Sequence, residues 1–233
     1  MATQYQIEQL FKELKSYKNK YLKKSFMDLD ESGTRIMINS FLTQVLGYKE
    51  LDEIKTEYNI RGEYADYVIQ TARKKQFVVE VKSIQIDINE KHLRQSLSYA
   101  ANEGIDWIRL TNGRQFQIYR VLFEKPIKTK LVIDSDLSIL ANGELKKLAE
   151  KLVFFTKNRI LKNEHELLWQ RLTALDPENI SKLLYCEDVL KIIRRELKKT
   201  AGIYFDDDSI RGALIKTIQH SSEIEKLKYR SCK

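Results

Sequence analysis

Only two cysteines, Cys186 and Cys232, occur in 233 residues, and their separation fits neither a zinc-ligand spacing nor a disulfide framework. Histidine is as scarce. His92, His165 and His220 are scattered along the chain, which argues against a zinc centre. No apolar run approaches the length of a membrane span, and the hydrophilic N-terminus has no signal-peptide pattern. A soluble, cytoplasmic protein with no membrane partner is therefore expected. There is no internal repeat, no low-complexity segment and no G-x-x-x-x-G-K-S/T loop, so ATP is not an expected ligand. Acids are outnumbered by bases, 33 against 41, giving a net charge of +8 and a pI near 9.2. That balance favours polyanionic partners without establishing one.

What the chain does contain is charge inside apolar strand-like runs. Ala65-Asp66-Tyr67-Val68-Ile69 is followed, after a short basic turn, by Phe77-Val78-Val79-Glu80-Val81-Lys82-Ser83. Strand alternation puts Glu80 and Lys82 on one face, and Val79 and Val81 on the other. A hairpin centred near Arg73 sets Asp66 opposite Glu80, about 5 Å away at the Cα atoms. Like charges so placed are destabilising unless a cation sits between them, and a divalent metal is the simplest such cation. The alternative is an edge hairpin with a solvated ion pair. Acid-x-Lys triplets also occur at Glu13, Glu53, Glu144 and Glu196. Those at Glu13, Glu144 and Glu196 lie in helical patterns, as solvated faces, and the copy at Glu53 lies in a run that alternates like a half-exposed strand.

Other segments surround this hairpin. Asp30 to Leu46 reads as an amphipathic helix stopping at Gly47, with Thr34, Ile38, Phe41, Leu42 and Val45 inward. Glu31 shares that inward face, although a helix N-terminus by itself also favours an acid there. A helix near Asn89 to Ala101 puts Gln95 and Tyr99 on one face, where Tyr99 could equally be core. The N-terminal 24 residues read as a basic amphipathic helix. Its Lys20, Lys23 and Lys24 are candidate DNA contacts or merely a solvated face.

Asn112-Gly113 joins strands near Trp107–Leu110 and Gln115–Phe123 as a hairpin, and Lys130–Ile133 adds an edge strand. Helical patterns then run over Glu144–Phe155, Glu164–Leu175 and Asn179–Leu197. A last helix begins after Asp206-Asp207-Asp208-Ser209, whose acids read as helix-capping groups rather than a metal site. The domain reading is 1–140 for an α/β domain, with 1–24 as its basic helix, and 141–233 for an all-helical region.

The order of these elements resembles the PD-(D/E)xK nuclease superfamily, in the subgroup with a Gln-x-x-x-Tyr helix after the Glu-x-Lys strand. It is most similar to the N-terminal nuclease domain of type I restriction enzyme R subunits. The carriers are the Glu31 helix, Leu46-Gly47-Tyr48, Ala65-Asp66-Tyr67-Val68-Ile69, Val79-Glu80-Val81-Lys82, Gln95-Ser96-Leu97-Ser98-Tyr99 and Trp107-Ile108-Arg109-Leu110-Thr111-Asn112-Gly113, over about residues 25–140. The resemblance implies a restriction-endonuclease-like core, a central mixed sheet flanked by helices. It implies Mg²⁺- or Mn²⁺-dependent hydrolysis of DNA, with Asp66, Glu80, the Val81 carbonyl and Glu31 as metal ligands. By the same resemblance Lys82 positions the attacking water, Gln95 orients Lys82 or a phosphate oxygen, and Tyr99 packs behind it or contacts the backbone. The ATP-driven motor of R subunits is absent, so the chain is read as a standalone relative or a part of something larger. The helical remainder is read as a dimerisation or DNA-recognition element, which makes a homodimer an expected assembly. The rival expectation is a catalytically silent module of the same fold that binds nucleic acid or protein.

Overall fold

A computed structural model describes residues 2–60 and 62–219. It divides into two compact units, one up to Trp169 and one from Gln170.

The first unit opens with α1 (Gln4–Tyr21), started by a Thr3/Gln6 capping box that satisfies two free N–H groups reciprocally. Leu10, Leu14 and Tyr17 form its buried stripe. Next comes α2 (Glu31–Ser40), whose N-cap Asp30 accepts a bond from the Gly33 N–H at 2.7 Å. The helix expected to reach Leu46 widens instead into one π-type turn over Phe41–Val45. That turn keeps Phe41, Leu42 and Val45 buried, and single π-turns of this kind are frequent beside functional sites. The chain leaves at Gly47, with φ of 78°, as its glycine signalled.

Six strands follow: β1 (Ile54–Ile60), β2 (Glu63–Thr71), β3 (Lys74–Val81), then α3 (Glu90–Glu103), β4 (Trp107–Thr111), β5 (Gln115–Leu122) and β6 (Lys128–Asp136). They lie in the order β1-β2-β3-β4-β5-β6. Every neighbouring pair is antiparallel except β3 and β4, which are parallel because α3 carries the chain across between them. The sheet is thus mixed and flanked by helices, and the α/β expectation holds.

Strands β2 and β3 are interior, each paired on both sides, and their middle residues are buried on both faces. On one face Val68 and Val78 pack against Tyr99 and Ala100 of α3, with Ile108 and Leu110. On the other, Phe77 and Trp107 meet Phe155. The edge-hairpin alternative with a solvated face is excluded by this burial.

The all-helical stretch begins with α4 (Asn142–Leu152), a 3-10 turn over Val153–Phe155, α5 (Lys157–Ile160) and α6 (Glu164–Ala174). The first compact unit runs past residue 140 as far as Trp169. The reason is packing: α4 lies against α1, and Phe155, His165 and Trp169 close around Trp107.

The second unit contains α7 (Pro177–Leu184), α8 (Glu187–Ala201) and α9 (Asp207–Gln219). The single helix expected over Asn179–Leu197 is two. The first closes at Tyr185, and Cys186 opens the second, ahead of Glu187 and Asp188. No proline or glycine marks that break, so periodicity ran through it. Asp206 accepts a bond from the Ser209 N–H at 2.7 Å, which is the capping role read from the sequence. Cys186 is free, while Cys232 and His220 lie outside the described residues. Among the described residues no helix is long and apolar enough to cross a membrane.

Candidate active site

The β2–β3 hairpin turns on Ala72 and Arg73, both with positive φ (47° and 64°), as a two-residue hairpin turn requires. Lys75 pairs with Gln70, but Phe77 pairs with Ile69, so Gln76 is an extra residue in a bulge. Without it, the pairing set by the turn would bring Asp66 opposite Val79. With it, the register runs Ile69↔Phe77, Val68↔Val78, Tyr67↔Val79, and the next step carries Asp66 and Glu80. Bulges re-aim side chains in this way beside functional sites.

Both acids are buried, Asp66 at 7% and Glu80 at 3% exposure. The Val81 N–H donates to Asp66 Oδ2 at 2.7 Å. Lys82 Nζ donates to Glu80 Oε1 at 2.6 Å and stands 3.8 Å from Glu31 Oε2. Glu80 Oε2 is buried and has no hydrogen-bond partner among the described residues. Burial first, and then the charges of Asp66 and Glu31, push the Glu80 carboxyl up to about 7 against the opposing pull of Lys82. Burial also works against the Lys82 ammonium, yet its bond and attraction to Glu80 hold it above the ordinary lysine range.

Sequence reasoning missed Arg35. One turn after Glu31, its Nη2 donates to Glu31 Oε1 at 3.1 Å and to Asp66 Oδ1, and its Nη1 lies 3.7 Å from Glu57. A guanidinium thus stands beside Asp66 and Glu31, as the Lys82 ammonium stands beside Glu80. The i, i+4 spacing from Glu31 was the available signal. Glu57 was also missed. The β1–β2 register, with Thr56↔Tyr67 and Tyr58↔Ala65, places it across from Asp66.

Glu31, Asp66, Glu80 and Lys82 are therefore brought together. Gln95 and Tyr99 pair with each other, the Gln95 amide donating to the Tyr99 hydroxyl at 2.9 Å. Tyr99 is core, whereas Lys82 is held by Glu80 and Glu31 rather than by Gln95. Lys20, Lys23 and Lys24 are exposed, with Lys20 over the Tyr21 ring. They precede Asp28 and Leu29, whose carbonyls accept from Gln85 Nε2 and Ser83 Oγ just past Lys82.

These residues and their spacing can be set against known proteins. Residues 30–132 match the type I restriction enzyme R protein N terminus. The matched R-protein stretch contains Glu31, Arg35, Asp66, Glu80, Lys82, Gln95 and Tyr99, and ends within β6. Neither a curated protein nor a solved structure gives a significant match.

Among the described residues no ready-made group of three or more His, Cys, Asp or Glu stands at metal-binding distance. The donors nonetheless suit a hard divalent ion. The buried, unpartnered Glu80 Oε2 is an oxygen that costs about 1–3 kcal/mol to leave unsatisfied. Mg²⁺ commonly takes only one or two protein carboxylates and completes its shell with water. Within the matched residues 30–132, Asp66 and Glu80 are two such carboxylates.

Proposed function

We propose that this chain is a metal-dependent nuclease that hydrolyses DNA phosphodiester bonds, as an endonuclease in restriction or in DNA processing. One observation carries the reading: two buried acids meet across a bulged hairpin, with Glu80 Oε2 unpartnered and Lys82 beside it. A purely structural strand has no use for that arrangement, because a buried unpaired carboxylate oxygen destabilises the fold. The match to a restriction-enzyme subunit supports the same reading and favours DNA as the substrate.

In this reading Asp66, Glu80 and the Val81 carbonyl would hold Mg²⁺ or Mn²⁺, with Glu31 as a further acid beside it. When bound, the ion supplies charge neutralisation at the phosphate and a more acidic water. The chain's own residues do the rest. Lys82, a compact ammonium on a long stem, orients the attacking water and stabilises its developing negative charge. The Val81 N–H fixes Asp66, so the carboxylate is aimed before substrate arrives. Glu31, partly exposed at the start of α2, balances the ammonium and keeps it over the site. Gln95 reaches a phosphate oxygen from α3, with Tyr99 as its support.

Purified protein is expected to cut DNA only with Mg²⁺ or Mn²⁺ present. Lys82→Ala and Asp66→Ala should abolish cutting, and Asp66→Ala should also lower the melt, because the Val81 N–H and Arg35 lose their acceptor. Full activity of Asp66→Ala in a preparation free of host nuclease would exclude this site. The second reading is a silent binding module, favoured by the grip of Arg35 on Asp66. Calorimetry separates the two. A nuclease binds Mn²⁺ through the Asp66–Glu80 pair, whereas a silent module binds DNA in a salt-dependent manner and takes up no metal.

A further inference from the structure

Beside the acids lies a hollow of about 260 Å³, lined by Arg35, Glu57, Tyr64, Ala65 and Asp66. Tyr64 stands two residues before Asp66 on β2, so strand alternation puts both on one face. Its ring is 60% exposed, an aromatic left in solvent at the rim of a charged site. Arg35 also lines the hollow, and its Nε is buried without a partner among the described residues. Glu57 adopts a positive φ of 45°, a conformation unfavourable for a non-glycine residue that collects at ligand-binding positions. Its carboxylate stands 3.7 Å from Arg35. Glu57 is three-quarters exposed, so that contact is weak and readily exchanged for a bidentate phosphate.

We infer that this hollow receives one unpaired nucleotide beside the cleavage site, with Tyr64 stacking on its base and Arg35 holding a phosphate oxygen. This inference rests on the nuclease reading. Size limits the occupant. A cavity of about 150 Å³ already admits benzene, and drug-sized ligands need roughly 300–1,000 Å³, so there is room for one base and little more. The exposed π-face selects the state of that base. In a duplex both faces of a base are covered by its neighbours, so only a splayed or single-stranded base can lie on tyrosine. The preferred substrate is then a strand with an unpaired position at the cut, such as a frayed end, a fork or a flipped base.

The test uses the full chain in a Lys82→Ala background with Mg²⁺, so that binding is read without cutting. Fluorescence anisotropy compares a labelled single-stranded oligothymidylate with a labelled duplex of the same length. Tyr64→Leu keeps an exposed, strand-compatible side chain but removes the π-face. It should weaken oligothymidylate binding roughly 5- to 150-fold, the range of one base–aromatic stack, and leave duplex binding within twofold. Tyr64→Phe should retain single-strand affinity. Unchanged oligothymidylate binding by Tyr64→Leu, or an equal loss for both probes, overturns the inference. So does a loss in Tyr64→Phe matching that in Tyr64→Leu. Cleavage by the Lys82 protein is measured separately. If it fails while the Tyr64 effect stands, the catalytic reading falls and the nucleotide site remains.

Discussion

Burial holds the Glu80 carboxyl up to about 7 and the His165 imidazole down to about 4, against ordinary values of 4.5 and 6.5. Between about 4.5 and about 7 the folded chain carries more protons on Glu80 than the unfolded chain does, so this group makes stability fall as pH rises through that window. His165 acts in the opposite sense. Its folded form carries fewer protons between about 4 and 6.5, so its contribution is present above that window and lost as pH falls through it. Each effect is on the order of 3 kcal/mol at full extent, and over the shared range they offset one another. Melts in EDTA can separate them. The advantage of Glu80→Gln over the parent protein should be small at about pH 5 and large at about pH 8. The advantage of His165→Phe, whose ring would sit among Phe77, Trp107 and Phe155, should instead grow toward about pH 4. A Glu80→Gln advantage that does not change with pH would mean that this carboxylate is not the strained group. Acid-x-Lys at Glu80 was legible as a candidate from its apolar strand. Arg35 was not, because only the folded chain shows that a residue one turn past Glu31 reaches a strand 31 positions away.

Among the elements, the β4–β5 turn does more than reverse the chain. Gly113 has φ of 86°, and a Cβ there would come within 3.0 Å of Met37 Cε in α2. Its carbonyl accepts the Tyr17 hydroxyl of α1 at 2.9 Å. Gly113→Ala should therefore destabilise by about 1–3 kcal/mol, seen as a lower denaturant midpoint with unchanged slope. A neutral result would show that the turn relaxes and that Met37 moves aside without cost. The Asn112-Gly113 hairpin was readable because its turn chemistry is local. The bulge at Gln76 was not, since a bulge is fixed by pairing between strands. The expected opposition of Asp66 and Glu80 is nevertheless realised, through a tighter turn plus one extra residue. The break between α7 and α8 was missed for a related reason. Apolar spacing continues across Tyr185 and Cys186, and only backbone bonding ends the first helix there.

Within the first 24 residues six lysines face two glutamates, and Lys20, Lys23 and Lys24 lead into the backbone that braces Ser83 and Gln85 beside the site. If these three lysines contact phosphates, replacing all of them by glutamine should reduce the slope of log affinity against log salt on duplex DNA by about 3. Affinity should fall evenly across unrelated sequences, since phosphate contacts carry no base information. An unchanged slope would assign the lysines to solvent alone.

The sequence by itself determined the strand and helix inventory of the R-protein stretch, the hairpin turn at Gly113 and the identity of the charged residues on apolar strands. Those properties follow from local periodicity, turn stereochemistry and the rarity of charge in buried strands. Only the tertiary structure decided that β2 and β3 lie inside the sheet rather than at its edge, which buries Asp66 and Glu80 and lifts the Glu80 carboxyl. It alone brought Arg35, Glu57 and Tyr64 to one hollow, and carried the first unit on to Trp169 through aromatic packing. Burial and convergence depend on contacts between distant parts of the chain, and no local pattern encodes them.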